Sequence, residues 1–335
     1  YYKNVITKLI DNFSGILTRD NINDTNSGLA KYPTSFGYDP FSNIGNLTWL
    51  ESPTQIDAAG SVITDLIMAA KTRLESGITY CYAIGHTGRL YKIQVNQPSG
   101  YNPNLDNPVL LTTLAVNSPT FKYGSSIEFY GVGTEKLYIG HDLGITTVNF
   151  DGTGEAFVGT LGSYTANVPR PAVVFQGVYY FGNGVNLGAI DSTLTVTTYA
   201  KLSPGLDIGT YIRDLDLTPN GTYLEIIQSY LNSPDLTSAT QDTTSLSSAD
   251  SFIVLWNGID LAATSRTSYS GYTINANTAF GPYTYALGYD LGGAAIYSSG
   301  KKVISLPNSI SPNSQALFST GNLLGLANPE TVGGF

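Results

Sequence analysis

Asp214 and Asp216 alternate in the run Ile212-Arg213-Asp214-Leu215-Asp216-Leu217, so both project to one side of an extended strand. Glu225 lies near them across the turn Pro219-Asn220-Gly221. Carboxylates brought together in this way are the equipment of glycoside hydrolysis, where one serves as acid and another as base or nucleophile. The same grouping near the end of a sheet suits calcium or plain solvation, and Arg213 stands beside it. A glycan or ion contact by Asp214 and Asp216 is therefore the expectation, and no residue is assigned as catalytic.

The other groups with chemical potential are few. His86 and His141 are the only histidines, and each follows a glycine in a tight turn. Equivalent turns of neighbouring repeats diverge around a rim, so we read the two as turn formers, neither a metal pair nor part of a Ser-His-Asp set. Cys81, the only cysteine, sits between Tyr80 and Tyr82 and reads as a buried, inert thiol; no intrachain disulfide can form. Asp106, in the loop Asn104-Leu105-Asp106-Asn107, lacks the ligand spacing of a calcium loop. Asn12, Asn23, Asn46 and Asn220 match the N-glycan acceptor pattern, which carries meaning only in a secreted chain of a glycosylating host. The glycine pairs Gly182/Gly184 and Gly292-Gly293 lack a following helix and lysine, so no phosphate cradle and no cofactor are expected.

Composition narrows the classes further. Charged residues make up 12% of the 335, about half the usual share, and Tyr (24) and Gly (36) are abundant. A net charge of −9 with 16 Lys and Arg argues against nucleic acid and against anionic membrane surfaces. The most apolar uncharged stretch, Pro171 to Ile190, is broken by Gln176, Asn183 and Asn186, so no membrane insertion is expected. The chain opens Tyr1-Tyr2-Lys3 without Met or a signal-like apolar run, so an N-terminal piece is expected to be missing from it.

The elements that must position these residues are glycine-punctuated hairpins. In Tyr82-Ala83-Ile84-Gly85-His86-Thr87-Gly88-Arg89-Leu90-Tyr91-Lys92-Ile93, an apolar strand ends in a polar turn and returns with alternating apolar residues. Copies recur at Leu137 to Gly144, Tyr180 to Gly184, Leu255 to Gly258 and Tyr297 to Gly300, spaced by about 55, 42, 76 and 42 residues, near the period of propeller blades. The fold expected is all-β: one β-propeller domain over residues 1–335, with seven blades or six. Residues 1–20, with Val5-Ile6-Thr7-Lys8-Leu9-Ile10, supply a strand that closes the ring. Residues 20–46 form a long loop, and the polar stretch 233–250 is an insertion that lengthens one interval. Leu47 to Leu50 and Ser61 to Met68 are read as strands of the first blade, and Ala69 to Glu75 as a loop or two helical turns. The second blade is placed at about 109–155, the third at 156–198 and the fifth at 269–309.

Ile10-Asp11-Asn12-Phe13-Ser14-Gly15, Gly28-Leu29-Ala30-Lys31, Asp39-Pro40-Phe41-Ser42-Asn43 and Leu47-Thr48 resemble the opening of tail-associated propeller proteins of tailed bacteriophages. The resemblance covers about the first 60 residues, with repeat grammar alone beyond them. It implies a non-enzymatic virion part such as a tail hub, nozzle or tip, extracellular, whose partners are copies of itself or other virion or fibre proteins. Two alternatives stand beside it: a subunit of a secreted microbial filament, and a carbohydrate-binding propeller or glycosidase using Asp214, Asp216 and Tyr side chains.

Overall fold

The computed structural model describes residues 63, 65–94, 108–131, 133–199, 210–230, 250–270, 273–290 and 293–306, and strand backbones at 38–39, 48–49, 316–320 and 323–327. The chain divides into two compact units, Tyr1–Gln55 and Ile56–Phe335. In the first unit, β1 (Tyr38–Asp39) pairs antiparallel with β2 (Thr48–Trp49).

The second unit is an all-β propeller built of four-stranded antiparallel sheets, with no α-helix among the described residues. Blade one runs β3 (Ile67–Glu75), β4 (Ile78–Gly85), β5 (Arg89–Gln94) and β6 (Val109–Thr113). Blade two is β7 (Ser126–Tyr130), β8 (Lys136–His141), β9 (Gly144–Val148) and β10 (Ala156–Phe157), followed by a 3-10 turn at Leu161–Ser163. Blade three is β11 (Ala172–Phe175), β12 (Val178–Asn183), β13 (Asn186–Ile190) and β14 (Val196–Thr198). Blade four is β15 (Thr210–Leu217), β16 (Leu224–Tyr230), β17 (Asp250–Trp256) and β18 (Ser265–Ser270). Blade five is β19 (Thr273–Phe280), β20 (Tyr283–Asp290), β21 (Gly293–Ser298) and β22 (Lys301–Ser305). A two-stranded sheet, β23 (Ala316–Thr320) with β24 (Leu323–Ala327), follows, with β23 beside β19.

Four strands reverse the chain an even number of times between the start of one sheet and the start of the next. The first strands β3, β7, β11, β15 and β19 therefore lie side by side in chain order around an axis. Apolar residues that alternate along each strand fill the gaps between blades. Ile84, Leu90, Ile127 and Ile139 pack between blades one and two, Tyr138, Ile145, Tyr179 and Phe181 between two and three, and Phe175, Ile212, Ile226 and Trp256 between three and four. Three first strands carry a β-bulge at a corresponding place, between Ile67 and Ala69, Ile212 and Asp214, and Ile274 and Ala276.

Among the described residues there are five sheets of four strands and two of two. Several expectations are corrected. The repeat copies are not all equivalent: the turns after Gly85, Gly140 and Gly182 join second to third strands, whereas those at Gly258 and Gly300 join third to fourth. In blade four the second-to-third connection is the polar segment itself, so the glycine signal there came from the next turn along. Val109–Thr113 is the fourth strand of blade one, and Ala156–Phe157 the fourth strand of blade two. Thr48–Trp49 pairs with β1 and takes no place in blade one, whose four strands begin at β3. Tyr38–Asp39, placed in a loop by its neighbours' composition, is a strand. Ala69 to Glu75 belongs to β3, because pairing with β4 overrides the helix preference of Ala-Ala-Lys. The closing strand within 1–20, the rest of the loop 20–46 and residues 233–249 of the insertion lie outside the described residues.

Candidate functional site

The bulge in β15 leaves Arg213 as the extra residue and sets the register beyond it: Asp214 opposes Ile227, and Asp216 directly opposes Glu225. Asp214, Asp216 and Glu225 thus share the face of blade four that meets blade five. There the backbone N–H of Asn277 donates to Asp214 Oδ2 at 3.0 Å, its amide Nδ2 donates to Glu225 Oε2 at 2.6 Å, and Thr284 Oγ1 donates to Glu225 Oε1 at 2.8 Å. Leu215 N and Leu217 N donate to Asp214 Oδ1 and Asp216 Oδ1, at 2.9 and 2.8 Å. Asn277 is 4% exposed, and its Oδ1 has no hydrogen-bond partner.

A second pair converges on the same region. Lys71 of β3 reaches across to form an ion pair with both oxygens of Glu128 on β7. The charge of Asp216 acts on Glu128, and that of Lys71 on Asp216, so these groups of blades one, two and four influence one another electrostatically. Burial pushes the carboxyl of Asp214 up to about 8, reinforced by the Asp216 charge and opposed by the Asn277 N–H. Burial also raises Asp216, Glu225 and Glu128, the last against the pull of Lys71. At about 8, Asp214 keeps its proton at neutral pH, beside further carboxyls that burial also raises. Arg213 is buried, with Nε and Nη1 unpartnered, and burial brings it down to about 10 against the charge of Asp214.

The remaining sequence candidates serve the scaffold. His141 is fully buried; its Nε2 lies 3.0 Å from Thr146 Oγ1 while Nδ1 accepts from Leu143 N at 3.3 Å, and burial lowers it to about 3. His86 instead pairs through Nδ1 with Asp65. Asp65 also accepts from the backbone N–H and hydroxyl of Thr87, fixing the turn. Among the described residues no group of three or more His, Cys, Asp or Glu could hold a metal ion. Cys81 is a free, partly buried thiol that burial pushes up. Asn220 is exposed and folds its own turn, accepting from Thr218 Oγ1 at 2.8 Å and Thr222 N at 3.1 Å, with Gly221 at φ 66°. Asn12, Asn23, Asn46 and Asp106 lie outside the described residues.

Sequence reasoning brought together Asp214, Asp216 and Glu225 and missed Glu128, Lys71 and Asn277. A lone charge in the otherwise uncharged run Ser126 to Tyr130, and an amide in the strand Thr273–Phe280, were the available signals.

No protein-family model matches the sequence, and no curated protein is similar to it at a meaningful level. Solved structures do resemble it in shape. The extracellular domain of a protein described as a one-component system of B. thetaiotaomicron aligns with TM-score 0.52 and 10% identity, over 82% of this chain and 33% of that one. A streptogramin B lyase aligns with TM-score 0.47 and 10% identity, over 81% and 85% of the two chains. A gluconolactonase of Xanthomonas campestris gives TM-score 0.45 and 11% identity, over 79% and 84%. The chain spans about a third of the length of the first of these. At 10% identity the first of these bears on the fold alone.

Proposed function

We propose that the chain is a non-enzymatic structural subunit of an extracellular assembly, with a phage tail or other virion component as the first identity and a secreted microbial filament as the second. One observation supports it above others: side-chain ion pairs and hydrogen bonds tie neighbouring blades to one another. Lys71–Glu128 and Arg73–Glu135 join blades one and two. Tyr130 OH to Gly177 O joins two and three, Gln176 Nε2 to Asn257 O three and four, and Glu225 with Asn277 and Thr284 four and five. A disc cross-tied at successive seams suits repeated contact under load. In this reading the ring is completed to six or seven blades, closed by the N-terminal strand within residues 1–20, and its partners are further copies or other virion or fibre proteins.

Electron microscopy of purified particles or fibres, with the chain labelled by antibody, tests the reading. The expected result is label on the assembly; a protein found only as a free monomer overturns it. A second reading, a carbohydrate-binding propeller or glycosidase, is favoured by the proton held on Asp214 beside Asp216 and Glu225. A glycan array together with a polysaccharide turnover assay separates the two, since turnover lost in Asp216→Asn would replace the structural reading.

A further inference from the structure

Three Asn-Gly pairs occur in the chain: Asn183-Gly184, Asn220-Gly221 and Asn257-Gly258. In such a pair the backbone nitrogen of the glycine, unhindered by a side chain, can attack the side-chain amide carbon of the asparagine before it. All three glycines have positive φ, 69°, 66° and 82°, so backbone shape does not separate them. Their surroundings do. Asn183 is 4% exposed, and its amide is held by Thr165 N, Arg170 Nη1, Ser163 O and Thr198 Oγ1. Asn220 is exposed, but the nitrogen that would attack it, Gly221 N, already donates to Thr218 O at 2.7 Å. Among the described residues Gly258 N has no acceptor.

The Asn257 amide is also held in a reactive setting. Its Oδ1 accepts from Ile259 N and Asp260 N, each at 3.0 Å, and its Nδ2 donates to Asp260 Oδ2 at 2.6 Å. Two backbone N–H groups grip that oxygen more tightly as it gains negative charge, so they favour the tetrahedral adduct over the starting amide. A carboxyl beside the nitrogen stands where a leaving group needs a proton. We propose that Asn257-Gly258 is a self-modification site, at which the loop between β17 and β18 converts its own asparagine to aspartate and isoaspartate. Gly258 N attacks Asn257 Cγ and a C–N bond forms; the Cγ–Nδ2 bond breaks, and the proton shed by Gly258 N passes through the Asp260 carboxyl to the departing ammonia. Water then opens the cyclic imide at either carbonyl. The product sets a second negative charge beside Asp260 where a donor stood, in the loop that presents Ile259 and Leu261 at 78% and 94% exposure. Like charges repel there, so conversion loosens the loop. This inference goes beyond the structural role above and does not depend on it.

Incubating the folded full chain at neutral pH, then mapping its peptides by mass spectrometry with aspartate and isoaspartate separated by chromatography, tests it. The expected result is conversion of Asn257 at least about tenfold faster than of Asn220 or Asn183. It should also be at least as fast as in the chain unfolded in urea, where the three pairs converge. Asp260→Asn is expected to slow conversion at Asn257 about tenfold and to leave Asn220 unchanged. Near-UV dichroism reports whether that variant keeps its packing, and the wild-type ranking of the three pairs stands without any variant. Conversion of Asn220 as fast as of Asn257, faster conversion of Asn257 in urea than in the fold, or an undiminished rate in a folded Asp260→Asn variant overturns it.

Discussion

The seam between blades two and three and the seam between blades four and five each bury charge, and they treat it in opposite ways. At the first, Arg170 is fully buried and its donors meet neutral oxygens: Nε on His141 O, Nη1 on Gly182 O and Asn183 Oδ1, Nη2 on Thr165 O and Asp142 O. Tyr164 and Phe181 flank the guanidinium at 5.3 and 6.0 Å. At the second, Arg213 is also buried but leaves two donors unpaired, and of the raised carboxyls on that blade Asp214 alone acts on it. Burial lowers both arginines to about 10, so burial alone does not distinguish a structural cation from an unsettled one. What distinguishes them is whether the desolvation is offset by hydrogen bonds.

The sharpest break of this contrast is Arg170→Met. It strands carbonyl oxygens from two blades and their connection in an apolar setting, and it is expected to cost about 3 to 5 kcal/mol in denaturant unfolding. A loss below about 1 kcal/mol would show that the guanidinium is no more settled than Arg213. Gly140→Ala attacks the same seam through shape. A Cβ there would lie 2.6 Å from Ser126 Oγ and 2.7 Å from the Arg170 carbonyl oxygen. Ser126 Oγ already donates to that oxygen at 2.7 Å, so neither atom can yield freely. The expected cost is about 1 to 3 kcal/mol by the same measurement.

The two seams also divide by pH. His141 lies against Arg170, and burial depresses it to about 3, so the neutral ring belongs to the folded state. Its contribution is present above the unfolded value near 6.5 and is lost as pH falls toward 3. Asp214 has the reverse sign: raised from 3.8 to about 8, it contributes most below 3.8, and its contribution is lost as pH rises through 8. Hydrogen exchange followed across this range is expected to show β8 and β9 loosening first in acid, and β15 and β19 loosening first in alkali. Asp214→Asn removes the alkaline limb and leaves the acid one; an unchanged alkaline limb would mean that Asp214 is charged in the fold at neutral pH.

How much of this was legible in the sequence follows from the kind of force involved. Alternation and turn chemistry are local, so the hairpins Ile78–Gln94 and Lys136–Val148, and the Pro219-Asn220-Gly221 turn with Asp216 near Glu225, could be read directly. Which turn of a sheet a glycine marks is set by how many strands precede it, and the polar segment in blade four hid the equivalent one. Glu128 and Lys71 are 57 residues apart and meet only because β3 and β7 lie side by side. Asn277 reaches Glu225 over 52 residues for a similar reason. Ala69 and Ala70 carry helix propensity that long-range pairing with Ile84 and Ala83 overrules.

Arg213→Met gives the smallest effect and the finest test of the contrast. A hydrophobic side chain of similar reach removes a buried charge whose Nε and Nη1 lack partners, so the change is expected to fall within about 1 kcal/mol of neutral, or to stabilise. It also withdraws the cation that holds Asp214 down, so the alkaline limb assigned to Asp214 should move to higher pH. A large loss of stability with that limb unmoved would mean that Arg213 is satisfied by groups other than Asp214, and the two seams would then differ in sign of charge but not in how they settle it.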